Sequence, residues 1–321
     1  MALTLNESKK PSASSPHPFR GYLYIAAAVF FFAATAALGK AVFTGRLVLG
    51  DAGAAPLDPL ILSQTRVTFS LLVLVPILLL RGGRQALALG SADILHCLLL
   101  GTLGIAGSNF FYYYAIEKTT VATAIILQYS APVWVLLYML ARHQQRPSLM
   151  RVAGVGLAVA GCALALDVFG EGRLKLHPLG VAAALAAAFS FAFYNVFGKH
   201  LLERQQRWKV VTYALLGASL LWLVLNPPWK VVAAGYSREQ WIFLAVFAVT
   251  SMLIPFSFYF AGLQYLDATR AIVTSCLEPV FAILLAWIFV GEPLRAVQMV
   301  GVVVVLLATV MVQTPDKPAS G

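Results

Sequence analysis

Two charged side chains sit deep inside apolar stretches of the chain: Arg66 in LILSQTRVTFSLL and Glu278 in VTSCLEPVFAIL. A charge at a bilayer centre costs about 2.5–3.5 kcal/mol on insertion scales, so it is kept either for function or for a structural partner. Glu278 precedes Pro279, which has no backbone N–H and leaves a carbonyl free one turn back. A carboxyl beside a loosened helix suits a proton carrier or a ligand for a substrate ammonium. The competing reading is a packing carboxyl bonded to neighbouring helices. Arg66 suits a substrate carboxylate, or else it orders helix packing or snorkels. Lys40 and Lys199 fall at the C-terminal ends of two apolar runs. There a cation complements the helix dipole; the sharper reading is a gate at each mouth.

Uncharged polar groups follow the same logic. Asn109, Tyr112, Gln128, Tyr129, Tyr194, Asn195, Tyr259 and Ser275 interrupt apolar runs. Some must serve as interhelical hydrogen bonds, worth about 0.6 kcal/mol each. Others should line a substrate cavity. Tyr112 and Tyr259 are 147 positions apart, as are Gln128 and Ser275. Cys97, Cys162 and Cys276 each stand alone in an apolar run and form no metal or disulfide pattern. No HExxH, GxSxG or P-loop sequence is present. The expectation is a protein without cofactor or metal that is not an enzyme, driven by an ion gradient or by its substrate's own gradient.

These residues need elements to hold them. Of the 321 residues, 60% are hydrophobic and 11% charged, against about 25% charged in soluble domains. Apolar runs of about 20 residues match the length of a helix that crosses a bilayer. Ten can be read, at 21–43, 57–80, 92–114, 119–140, 149–167, 178–198, 210–226, 240–262, 268–290 and 295–313. Glu117 and Lys118 mark the tight turn between the third and fourth. The net charge of +10 is carried between the runs, so it reads as a topology signal rather than a nucleic-acid footprint. The N-tail, the even-numbered connections and the C-tail hold about twice as many Lys and Arg as the other side. The positive-inside rule therefore predicts that both termini are cytoplasmic. An even number of spans agrees with that.

The chain also matches itself. Residues 21–40 align without gaps on 180–199 with eight of twenty identities, including the shared Gly-Lys ending at Lys40 and Lys199. Farther on, a spacing of 147 pairs Phe111-Tyr112 with Phe258-Tyr259, Pro132-Val133 with Pro279-Val280, and Gly154 with Gly301. Each half holds five spans. Five is odd, so the second half crosses in the opposite sense: an inverted-topology repeat, which is typical of secondary transporters that rock about a midplane site. The expected layout is a disordered tail at 1–19, five-helix repeats at 20–168 and 177–313, and a second tail at 314–321. Gly154, Gly156 and Gly161 in the fifth span permit close helix approach, to pack a homodimer or the two repeats.

The stretch ATRAIVTSCLEPVFAILLAWIFVGEPL (268–294), followed by Gln298 and Gly301, resembles the end of an EamA domain of the drug/metabolite transporter superfamily. ATAIILQYSAPVWVLLYML (122–140) with Gly154 is a looser copy, and Arg66 resembles the arginine usual in that family's second span. Gln145 stands where the second copy has Glu292. The resemblance covers about residues 20–313. It implies an all-α membrane protein of ten helices in two inverted five-helix repeats around a central cavity. It also implies movement of a small metabolite across a bacterial inner membrane, often amino-acid export. The partners expected are a small-molecule substrate, the lipid bilayer and a coupling proton, and no nucleic acid. An uncoupled facilitator, or a non-transporting membrane protein, is the alternative.

Overall fold

In hydrocarbon no water is available for backbone groups, so each apolar run must satisfy its own N–H and C=O groups by folding as a helix. The computed structural model describes residues 18–43, 57–145, 148–168, 170, 176–290 and 294–313. The first half comprises α1 (Pro18–Phe43), α2 (Pro59–Gly82), α3 (Ser91–Lys118), α4 (Val121–Gln128 and Ala131–Ala141) and α5 (Leu149–Ala165). The second comprises α6 (Pro178–Leu202), α7 (Arg207–Leu225), α8 (Arg238–Tyr265), α9 (Ala268–Ser275 and Leu277–Leu285) and α10 (Ala296–Gln313). Nine of these are long and apolar enough to span a membrane, and α5 is a shorter apolar helix of 17 residues. The expected tails and the 44–56 connection fall largely outside the described residues.

The two halves share their breaks as well as their order. α3 and α8 each contain a π-helical turn, at Leu100–Ala106 and Val249–Leu253. α4 and α9 are each broken at mid-span, around Tyr129-Ser130 and at Cys276. One correction concerns the turn between α3 and α4. Glu117 and Lys118 belong to the last turn of α3, and the chain reverses at Thr119-Thr120. Thr120 then caps α4 by accepting the Thr123 N–H at 3.1 Å.

The halves interlock rather than sit side by side. α1 packs along α8, α6 along α3, α7 along α3, and α5 along α10. Without a hydrophobic drive between helices in lipid, such contacts depend on small residues and close van der Waals packing. At the α3–α7 crossing a Cβ on Gly101 would collide with the Ala214 carbonyl, and one on Gly217 with the Leu98 carbonyl. At the α5–α10 crossing a Cβ on Gly301 would collide with the Ala165 backbone, and one on Gly161 would come 2.8 Å from Val305. Gly154 and Gly161 thus pack the repeats together, whereas a Cβ on Gly156 would meet nothing.

Candidate functional site

The site is built on the two mid-helix breaks. The first half of α9 is capped by Asp267, whose Oδ1 accepts the Arg270 N–H at 2.9 Å. That half ends at Ser275, and a second helix starts at Leu277 with Pro279 in its first turn. Pro279 cannot donate back to the turn before it, which is why the helix breaks there. Glu278 occupies the first turn of the new half-helix. Unpaired N–H groups and the positive dipole end gather there and favour a carboxylate.

The corresponding break in α4 supplies the partner. Tyr129 closes the first half of α4, and its hydroxyl hydrogen-bonds the Glu278 carboxyl. Tyr112 and the Arg66 guanidinium also lie within electrostatic reach of Glu278. Arg66, Tyr112, Tyr129 and Glu278 are all half-buried, so none is sealed in packing. A cation and two phenols from α2, α3 and α4 thus all interact with the one carboxyl on α9. Such a set can bind an amine at the carboxylate and stack an apolar body on the rings.

Arg66 is positioned from the other repeat. Its Nε donates to the Ser251 Oγ at 2.8 Å and its Nη2 to the Ser251 carbonyl at 2.9 Å. Its guanidinium carbon also lies 5.7 Å above the Phe247 ring. Ser251 sits in the π-helical turn of α8, where the helix ladder is out of register and a carbonyl can be shared. One turn farther along α2, the Ser70 Oγ donates to the Ala248 carbonyl at 3.0 Å. These bonds leave part of the five-donor guanidinium fork unused. Ser251 was not legible as a site residue, because a serine in an apolar run carries no mark of a π turn.

The other expected residues divide. Asn109 and Gln128 are half-buried on α3 and α4. Asn109 donates to the Ile105 carbonyl at 2.8 Å and Gln128 to the Ser108 Oγ at 3.1 Å. Tyr194, Asn195, Tyr259 and Ser275 are buried. Tyr259 donates to the Asn195 Oδ1 at 2.7 Å, Asn195 donates to the Phe191 carbonyl at 2.9 Å, and Ser275 bonds Tyr259. This buried network joins α6, α8 and α9, and Tyr194 within it also lies within electrostatic reach of Glu278.

Lys199 stands apart. Its ammonium donates to the Leu263 carbonyl at 2.9 Å and to that of Gln264 at 3.4 Å. It therefore caps the C-terminus of α8, a neighbouring helix, in addition to any effect on its own. Lys40 lies in the last turns of α1, and its side chain is outside the described residues. On the Lys199 side α1 packs against α8. Ile25, Ala28 and Val29 of α1 are fully buried, and the Tyr24 ring stacks on Phe258 and Tyr265 of α8 at 6.1 and 5.9 Å.

The EamA-like transporter family matches residues 19–166 and again residues 178–314. The chain belongs to that family. It is accordingly a multi-pass membrane transporter. It is 22% identical over 80% of its length to the uncharacterized inner membrane transporter YicL of Salmonella typhimurium, covering 85% of that protein. It is 26% identical over 66% of its length to the threonine/homoserine exporter RhtA of Salmonella typhimurium, covering 69% of it. A solved crystal structure superposes with a TM-score of 0.70 at 20% identity, covering 91% of this chain and 97% of the other. That likeness shows the fold. In this EamA-like chain the breaks of α4 and α9 face each other across the repeat boundary, where a midplane transport site is expected in inverted repeats.

Proposed function

We propose that the protein is a secondary transporter of a small amine-bearing metabolite, an amino acid or similar, working by alternating access in a bacterial inner membrane with both termini cytoplasmic. The observation that carries this reading is the pairing of the two helix breaks: Glu278 just past the break of α9, met by Tyr129 in the break of α4. Glu278 takes the ammonium or the coupling proton, Tyr129 and Tyr112 flank it, and Arg66 takes a substrate carboxylate. The basic residues of the terminal side support the orientation. The direction favoured is export, which the exporter RhtA among the relatives supports.

The test is flux in proteoliposomes over a panel of amino acids, nucleosides and cationic drugs, with and without a pH gradient. An amine-bearing solute driven by the gradient, and loss of that drive in Glu278→Gln with folding intact, is the expected result. Equal gradient-driven flux in wild type and Glu278→Gln removes the coupling role. The proximity of Arg66 to Glu278 favours one second reading, in which a standing charge pair binds a zwitterion without proton exchange. Flux that follows only the solute's own gradient would select it.

A further inference from the structure

An open cavity of about 400 Å3 lies away from the central site, at the end of the helices opposite Pro18 and Gln313. Its polar lining is Asp58, Asn226, Lys230 and Tyr236, over a wall of Ile61 and two alanines. Asp58 is the N-cap of α2 in the first repeat, and the rest of the polar lining comes from the α7–α8 connection in the second. The cavity therefore straddles the two repeats.

Each polar group keeps unused capacity. Asp58 Oδ1 accepts the Leu60 and Ile61 N–H groups at 2.7 and 3.4 Å, leaving its second oxygen. Asn226 donates to the Gln64 Oε1 at 2.8 Å, leaving its own carbonyl as an acceptor. The Tyr236 hydroxyl accepts the Asp58 N–H at 2.8 Å and still has a proton to donate. Burial pushes that phenol above its ordinary value, so the proton stays. The Lys230 ammonium has no ion pair among the described residues. Beside the cavity the short helix Pro228–Ala233 presents Trp229, 70% exposed, and Val232, 76% exposed. A tryptophan next to a cation at a helix end marks the headgroup level of a bilayer.

We propose that this cavity binds a zwitterionic phospholipid headgroup bearing a primary amine, of the phosphoethanolamine type. Lys230 and the Tyr236 hydroxyl take the phosphate oxygens. The free Asp58 oxygen and the Asn226 carbonyl take the ammonium, and Trp229 and Val232 lie against the acyl chains. A headgroup that is only anionic meets repulsion from Asp58. A trimethylammonium headgroup has no N–H for the two acceptors. A soluble phosphorylated amine shares the headgroup's chemistry but makes no use of the exposed apolar rim. A lipid held here bridges α2 and the α7–α8 connection, and so ties the two repeats at this end.

The full-length protein is to be reconstituted in nanodiscs of equal phosphatidylethanolamine and phosphatidylcholine, extracted in mild detergent, and its retained lipid measured by native mass spectrometry. Wild type should retain phosphatidylethanolamine preferentially. Asp58→Asn should lower that preference by up to about fivefold, the value of one exposed ion pair, while Lys230→Gln, which loses a phosphate contact common to both lipids, should lower the total lipid retained and leave the preference. Asparagine remains a good N-cap, so Asp58→Asn tests the charge and not the fold of α2. Equal retention of the two lipids by wild type, a preference unchanged in Asp58→Asn, or total retained lipid unchanged in Lys230→Gln, overturns the proposal. Thermal stabilisation of lipid-free protein by free phosphoethanolamine, without preference among the lipids, assigns the cavity to a soluble ligand and also overturns it.

Discussion

The Arg66 guanidinium holds Ser251 at two points, its Oγ at 2.8 Å and its carbonyl at 2.9 Å, and so ties α2 of the first repeat to the π turn of α8 in the second. Arg66→Lys keeps the charge but loses the planar fork. It should destabilise the detergent-solubilised protein by about 1.5–3 kcal/mol, the range for hydrogen bonds to a charged group. Ser251→Ala removes only the hydroxyl and leaves the carbonyl, so its loss should be the smaller. Thermal unfolding of the three proteins measures this. An Arg66→Lys protein that melts with wild type would show that the fork is not what holds the crossing.

Tyr129 offers a sharper probe of the site than Glu278 alone. Tyr129→Phe keeps the ring and deletes the hydroxyl that meets the carboxyl. Its loss should raise the KM for an amine-bearing substrate about tenfold, as deletion of one charged hydrogen bond predicts, with thermal stability nearly unchanged. Tyr259→Phe, in the buried network with Asn195, should do the reverse and lower stability while sparing KM. An identical KM in wild type and Tyr129→Phe would place the substrate elsewhere.

The glycines of the fifth and tenth helices divide by what surrounds them. Gly301→Ala drives a methyl into the Ala165 backbone and should cost about 1–3 kcal/mol, as overpacking does. Gly156→Ala meets open space and should be neutral, or should stabilise by up to about 1 kcal/mol through helix propensity. If Gly156→Ala instead abolished a dimer seen by light scattering, Gly156 would lie in an interface between copies.

Cysteines placed at Gln144, between α4 and α5, and at Leu176, just before α6, should react from opposite sides of the membrane, with Gln144 labelled from the cytoplasm. Both positions are outside the helices. Labelling of both from one side would contradict the inverted crossing of the second repeat.

Composition and run length alone determine that this chain is a bundle of about ten membrane helices, because too few charges remain to coat a soluble fold and each run is one bilayer long. The spacing of 147 between Tyr112 and Tyr259 further determines that the chain is two related halves of opposite sense. Glu278 beside Pro279 was legible for the same kind of reason: a charge in hydrocarbon and a missing N–H are local facts. What faces that carboxyl was not local. Tyr112 and Tyr259 are repeat partners in the sequence, yet Tyr112 reaches Glu278 while Tyr259 is buried against Asn195. Lys199 looked like a cap for its own helix and caps α8 as well. Arg66 depends on a π turn in the other repeat that no residue type announces. Helix formation in lipid is set by each segment's own backbone and length. Which of several equivalent polar groups face one another is set by how the helices cross, and only the packed pair of repeats decides that.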